Sequence, residues 1–215
     1  MHIILRDKRP EVTYILIILN IMVFFLMYLF GREKVIASFG VIPKYLIEDA
    51  DIISLITSMF IHADFLHLFF NMWALFIFGR DVELVFGKSR YLLLYFISGI
   101  VGGIVYAYYG YYFSASPYGK LIPAVGASGA IFGLMASFAV LFPHRPLAVF
   151  FYFIPIVAPA YVVIGIITLI QTMLALLMPF SSIAYTAHVG GFAAGYIISR
   201  YYKLRYQRFY YVYDW

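Results

Sequence analysis

The chain has 215 residues, 65% of them hydrophobic and 12% charged, with a mean hydropathy of +0.93; that charged fraction is about half the usual one and excludes a soluble globular domain. The absence of cysteine excludes a disulfide scaffold, a thiolate metal site and a cysteine nucleophile. A net charge of +5 would suit nucleic acid, but the basic residues lie between apolar runs and build no basic face, so a membrane explains them better.

A bilayer-spanning helix needs about 20 predominantly apolar residues. Six stretches meet this need: Thr13 to Phe30, Phe65 to Phe86, Tyr91 to Phe113, Pro123 to Phe142, Pro159 to Met178 and Ser182 to Ser199. The second is apolar to Phe78 and resumes beyond Arg80, which puts Asp81 and Glu83 at headgroup level. The fifth apolar run begins at Leu147 and is too long for one span; Pro155 and Pro159 divide it. Leu147 to Ile156 therefore reads as an interfacial or re-entrant approach, and the span begins near Pro159, where proline is tolerated in a first helical turn. The expected fold is an all-α membrane protein, one domain over residues 1–215, with an outer loop at 31–64.

Six spans place both termini on one side. Arg6, Lys8, Arg9, Arg80, Lys88, Arg90, Arg145, Arg200, Lys203, Arg205 and Arg208 fall on that side, against Arg32, Lys34, Lys44 and Lys120 opposite. Eleven against four puts both termini in the cytoplasm. The first apolar run ends at Phe30-Gly-Arg-Glu without a small-residue cleavage site, so it is expected to stay as a helix and not to leave as a signal peptide. The basic and aromatic run YYKLRYQRFYYVYDW is expected at the membrane surface and not on nucleic acid.

With strongly charged residues absent from the bilayer core, the few other groups able to move protons there carry the information. His67 and Asn71 are spaced i, i+4 and project from one face of the second span. His62 lies five residues before His67, a poor metal-ligand spacing, and the chain has no HExxH. No metal or cofactor is expected. Ser128 stands in VGASGAIFGLMAS, among Gly126, Gly129 and Gly133. Taken alone, such small-residue spacing is how membrane helices pack, and a serine there can simply bond a carbonyl. His188 changes the weighing, because His188, Gly191 and Gly195 share one helical face, and Gly129 and Gly133 offer the matching surface on the fourth span. That pairing brings Ser128 and His188 together.

Depth is an independent test. The second, fourth and sixth spans all run inward from the outer surface; Ser128 is about five residues into its span and His188 about six, or roughly 8 Å deep, and His67 and Asn71 bracket that level. A neutral histidine beside a serine is the usual general base. No Asp or Glu lies in the fourth, fifth or sixth span, so the pair is a dyad, with orientation of His188 left to packing. Phe132, one turn after Ser128, is placed to stack on the imidazole, although it is also one of 22 phenylalanines. His67, Asn71 and the Ser128 backbone N–H are the candidate oxyanion donors.

These residues resemble the rhomboid family of intramembrane serine proteases, in the order HxxxN (His67, Asn71), GxSG (Gly126, Ser128, Gly129) and AHxxGxxxG (Ala187, His188, Gly191, Gly195). The resemblance implies a six-helix bundle that cleaves transmembrane protein substrates near their outer boundary, with Ser128 as nucleophile, His188 as base and then acid, and His67, Asn71 and Ser128 N–H as oxyanion donors. It implies that His62 is a further family histidine near the oxyanion region, that the apolar outer loop from Ile52 to Ile61 dips into lipid, and that the fifth helix and a cap loop at about Pro179 to Thr186 gate substrate access. Glu83, Gly87 and Arg90 fit the family's turn between the second and third helices. Many members carry Trp-Arg where this chain has Ile53-Ser54. The chain resembles the minimal prokaryotic form, which implies a plasma membrane. The main alternative is a catalytically silent, rhomboid-like protein that binds membrane clients; such relatives typically lack the serine or the histidine, and this chain keeps both. A small transporter is a further alternative, disfavoured because the polar residues are shallow and not at the midplane.

Overall fold

A 20-residue helix, α1 (Glu11–Phe30), opens the computed structural model, which describes residues 9–114, 118–151, 154–178 and 184–205. Of the features anticipated above, residues 179–183 of the cap loop, residues 206–215 of the tail, and Arg6, Lys8 and Arg208 lie outside those residues. α1 buries Leu16, Asn20, Phe24 and Met27, one stripe at helical spacing, and exposes Ile15, Ile18, Met22, Phe25 and Leu29 on the other face. An apolar helix with an exposed apolar face has hydrocarbon and not water as its expected surroundings.

The stretch 31–64 is a folded excursion of short helices: α2 (Arg32–Phe39), α3 (Pro43–Glu48), α4 (Ser54–Thr57) and a 3₁₀ turn at Ser58–Phe60. Ser54 is buried and donates its hydroxyl to the Asp51 carbonyl at 2.6 Å, while Ile52 and Ile53 are exposed. The chain then bends by 95° into a helix made of α5 (Phe65–Ala74), one wide π-turn at Leu75–Gly79, and α6 (Arg80–Phe86). Asp64 caps α5 by accepting the His67 N–H at 2.8 Å. α7 (Lys88–Tyr112) follows Gly87, whose φ of 76° makes the turn that a side chain would resist.

α8 (Ser128–Leu141) is the axis of the fold, buried along nearly its whole length. α9 (Ala160–Leu177) buries only Ala160, Val163, Ile164 and Ala175, and α10 (Tyr185–Arg205) closes the bundle. α7, α8 and α10 meet through small residues. An added methyl on Gly102 would lie 2.6 Å from the Ala187 carbonyl oxygen; one on Gly133 would strike Ser98, one on Gly191 the main chain of Gly129, and one on Gly195 that of Gly133. Direct backbone approach of this kind is how helices associate where lipid supplies no hydrophobic drive.

Two features differ from the expectation. The stretch read as an interfacial or re-entrant approach in an all-α protein is a two-stranded antiparallel hairpin, β1 (Pro146–Phe151) and β2 (Ile154–Pro159), paired from Pro146 with Pro159 to Phe151 with Ile154. Proline at 155 lacks the N–H that a helix needs, and β-branched Val149, Ile156 and Val157 favour an extended chain. The fourth helix also begins at Ser128 and not at Pro123, because Ala124 is paired with Val41 and Gly126 sits at a φ of 116°. Among the described residues, α1, α7 and α9 are long and apolar enough to cross a membrane, and the bent pair Ser54–Phe60 and Phe65–Phe86 makes a fourth if taken as one span.

A buried carboxylate fixes the end of the bundle far from Ser128. Glu83 accepts the Val12 N–H at 2.9 Å and both the N–H and hydroxyl of Thr13 at 2.8 Å, and the Thr13 hydroxyl also meets the Tyr91 hydroxyl at 3.0 Å. Helix α1 thus has N-terminal donors that lack an intrahelical acceptor satisfied by another helix, where Pro10 offers no side-chain cap.

Candidate active site

The segment leading to Ser128 is held by the excursion at 31–64. Val41 and Ala124 exchange both backbone hydrogen bonds at 2.9 Å, and Gly126 N–H donates to the Ser58 carbonyl at 2.9 Å. Ala127 N–H points at Nε2 of His62 at 3.5 Å, and His62 is fully buried. These ties stop the chain short of helix and start α8 at Ser128. The N–H groups of that first turn have no acceptor within the helix.

Ser128 Oγ lies 2.8 Å from Nε2 of His188, joining the starts of α8 and α10. The imidazole of His188 lies flat on Phe132, with ring centroids 4.5 Å apart and planes 7° from parallel, and Tyr185 meets it edge-on at 6.3 Å. The Gly191 to Gly129 and Gly195 to Gly133 approaches lie along the same face of α10 as His188, so the small residues set the helix separation at which serine and histidine meet.

His67 faces this pair from α5. Its ring lies so close to Gly126 that a methyl there would come within 2.7 Å of Cε1 and Nε2. Its Nδ1 faces the Ala63 N–H at 3.4 Å. A neutral imidazole that accepts at Nδ1 carries its proton on Nε2, so the donor of His67 is turned toward the Gly126–Ser128 segment. The His62 and His67 rings meet edge-on at 5.1 Å. Asn71, buried one turn below, donates one N–H to the His67 carbonyl at 2.8 Å and retains a second.

One contact was not anticipated. Oε1 of Gln171, on α9, lies 2.7 Å from Nδ1 of His188. The sequence leaves orientation of the histidine to packing alone, because no Asp or Glu lies in the fourth, fifth or sixth span. The available signal was an amide within an otherwise apolar span, since polar groups at that depth need partners.

Residues 49–205 match the Rhomboid domain family model. The chain belongs to the rhomboid family. This rhomboid is 35% identical over 137 residues to the rhomboid protease GluP of Bacillus subtilis, covering 62% of this chain and 25% of that protein. It is 30% identical over 194 residues to the mitochondrial Rhomboid protein 1 of Saccharomyces cerevisiae, covering 88% of this chain and 53% of that one. The chain therefore spans a quarter to about half of the length of these relatives. A further relative, of Arabidopsis thaliana, is named inactive RHOMBOID-like protein 8 and is 32% identical over 98 residues, 46% of this chain and 25% of its own length. This rhomboid is a helical membrane protein of a family that includes named proteases.

Proposed function

We propose that this rhomboid is an intramembrane serine endopeptidase that hydrolyses peptide bonds of transmembrane protein substrates near the outer membrane boundary. The observation that carries the reading is the 2.8 Å approach of Ser128 Oγ to His188 Nε2 in a shape-fixed, half-buried site. The named-inactive relative makes family membership by itself insufficient, so the reading stands on this pair.

In the proposed reaction Ser128 Oγ attacks the scissile carbonyl as its proton passes to His188 Nε2. The oxyanion is held by His67 Nε2–H, the free N–H of Asn71, and the Ser128 N–H. Donors placed in advance act where developing charge is poorly solvated, and each is worth about 3 kcal/mol in other hydrolases. His188 then gives the proton to the leaving amine, and water, deprotonated by the same nitrogen, releases the acyl group. His62 and Gly126 hold the chain before Ser128, and Phe132 holds the plane of the imidazole.

The proposal includes six crossings with both termini cytoplasmic, which the eleven-to-four distribution of basic residues supports. At 14 residues α8 is about 21 Å long and shorter than the hydrocarbon core. Its sheath of other helices makes lipid matching unnecessary. A prokaryotic plasma membrane is part of the same proposal; several relatives are mitochondrial by name.

The test is labelling of the purified protein by a fluorophosphonate probe, with cleavage of a model transmembrane substrate in proteoliposomes. Wild type is expected to do both and Ser128→Ala neither. Undiminished cleavage by Ser128→Ala overturns the assignment.

A further inference from the structure

We propose that Gln171 is a positioning residue for this site: from α9 it accepts the Nδ1 proton of His188 and thereby leaves Nε2 as the base that faces Ser128. The inference rests on the dyad reading above. An amide oxygen only accepts hydrogen bonds, so the 2.7 Å contact between Oε1 and Nδ1 places the imidazole proton on Nδ1. Nε2 is then the bare nitrogen, 2.8 Å from the serine hydroxyl that donates to it.

Among the described residues, Nδ1 of His188 has no other hydrogen-bond partner. Residues 123–205 contain no Asp or Glu. Phe132 lies parallel to the imidazole and fixes its plane, but a ring face meets both tautomers alike. A histidine side chain left to itself favours the proton on Nε2, the wrong nitrogen for this chemistry.

The two threonines of α9 behave differently. Thr168 and Thr172 return their hydroxyls to their own helix, at the Ile164 and Thr168 carbonyls, both at 2.8 Å. Gln171 reaches across to another helix instead. Its helix carries neither Ser128 nor His188 and is only thinly buried. The tautomer of His188 is therefore set by where α9 stands, and a shift of α9 by an ångström or more breaks a 2.7 Å bond and releases the base.

The experiment uses the full chain in detergent micelles or proteoliposomes. In ¹⁵N-histidine spectra, with the His188 signals assigned by their loss in His188→Ala, wild type is expected to show a protonated Nδ1 and a bare Nε2. Gln171→Met, matched in length but a poor acceptor, is expected to mix the tautomers. It should also lower kcat roughly ten- to hundredfold, a part of what general acid–base catalysis contributes, with KM unchanged. Gln171→Glu restores the acceptor and is expected to recover most of kcat. A wild-type spectrum with the proton on Nε2 overturns the proposal whether or not the variants fold. So does a Gln171→Met enzyme with kcat within about twofold of wild type and an unchanged tautomer. The dyad reading fails separately, when Ser128→Ala still cleaves.

Discussion

Gly191 of α10 rests directly on the main chain of Gly129 in α8, with no room for a side chain between them. Because His188 is one turn earlier on the same face, this contact sets the distance from imidazole to serine. Gly191→Ala is expected to lower the unfolding midpoint, consistent with a cost of about 1–3 kcal/mol for overpacking. It should also reduce cleavage by more than tenfold as α10 is pushed outward. Gly165→Ala is the control. It lies in α9 with open space around it, so it should leave activity unchanged and stability equal or better, since alanine is the better helix former. Equal effects of the two substitutions on cleavage would break the link between packing and geometry.

His188→Ala removes the proposed base while leaving a small side chain in a helix. Substrate cleavage is expected to fall to background, and fluorophosphonate labelling of Ser128 should drop with it, while circular dichroism and thermal unfolding stay near wild type. Full labelling in a folded His188→Ala protein would mean that another group activates the serine.

The flat contact of Phe132 on His188 gives a smaller expectation. An aromatic pair of this geometry is worth about 0.5–1.5 kcal/mol beyond its area. Phe132→Leu keeps the apolar bulk and loses the ring face, and should cost roughly threefold to tenfold in kcat on that scale. Phe132→Tyr keeps the face and should remain close to wild type. Identical kcat values for the leucine and tyrosine variants would show that only bulk matters.

Much of this site was legible in the sequence because its chemistry stands out against an apolar background. Ser128, His188, His67 and Asn71 are proton-active groups in stretches free of Asp, Glu, Lys and Arg, and the glycine spacing in two of those stretches points to the helices that touch. The pairing of Gly129 with Gly191 follows from that spacing. The start of α8 did not, because a hydropathy window sees Pro123 to Ala127 as apolar. What keeps these residues out of the helix is their partners: the Val41 pairing, the Ser58 carbonyl and the ring of His62, all from the sequence-distant excursion at 31–64. The hairpin at 146–159 was hidden for a related reason, since a continuous apolar run does not say whether it is helix or strand. Gln171 was legible as an anomaly, a lone amide in an apolar helix, but its partner depends on how α9 rotates against α10, which periodicity does not specify.

The far end of the bundle gives the last expectation. Glu83 is almost fully buried and receives three donors, from Val12 N–H, Thr13 N–H and the Thr13 hydroxyl. Both of its oxygens are engaged, one by Val12 and the other by Thr13. Glu83→Gln replaces one acceptor oxygen with an NH₂ group that faces a donor, so at least one N–H of α1 is left unsatisfied. A buried donor without a partner costs about 1–3 kcal/mol. Glu83→Gln should therefore unfold at lower temperature, and Glu83→Ala, which strands the N–H groups of both Val12 and Thr13, at a lower temperature still. Thr13→Val removes the hydroxyl bonds to Glu83 and Tyr91, leaves both α1 N–H bonds in place, and should be milder than Glu83→Ala. Because these residues stand at the opposite end from Ser128, kcat measured well below the unfolding midpoint should stay within about twofold of wild type. The order of unfolding midpoints, read beside kcat at low temperature, separates a clamp on α1 from a role in the chemistry. A Glu83→Gln protein that is as stable as wild type but slow in cleavage would reverse that assignment.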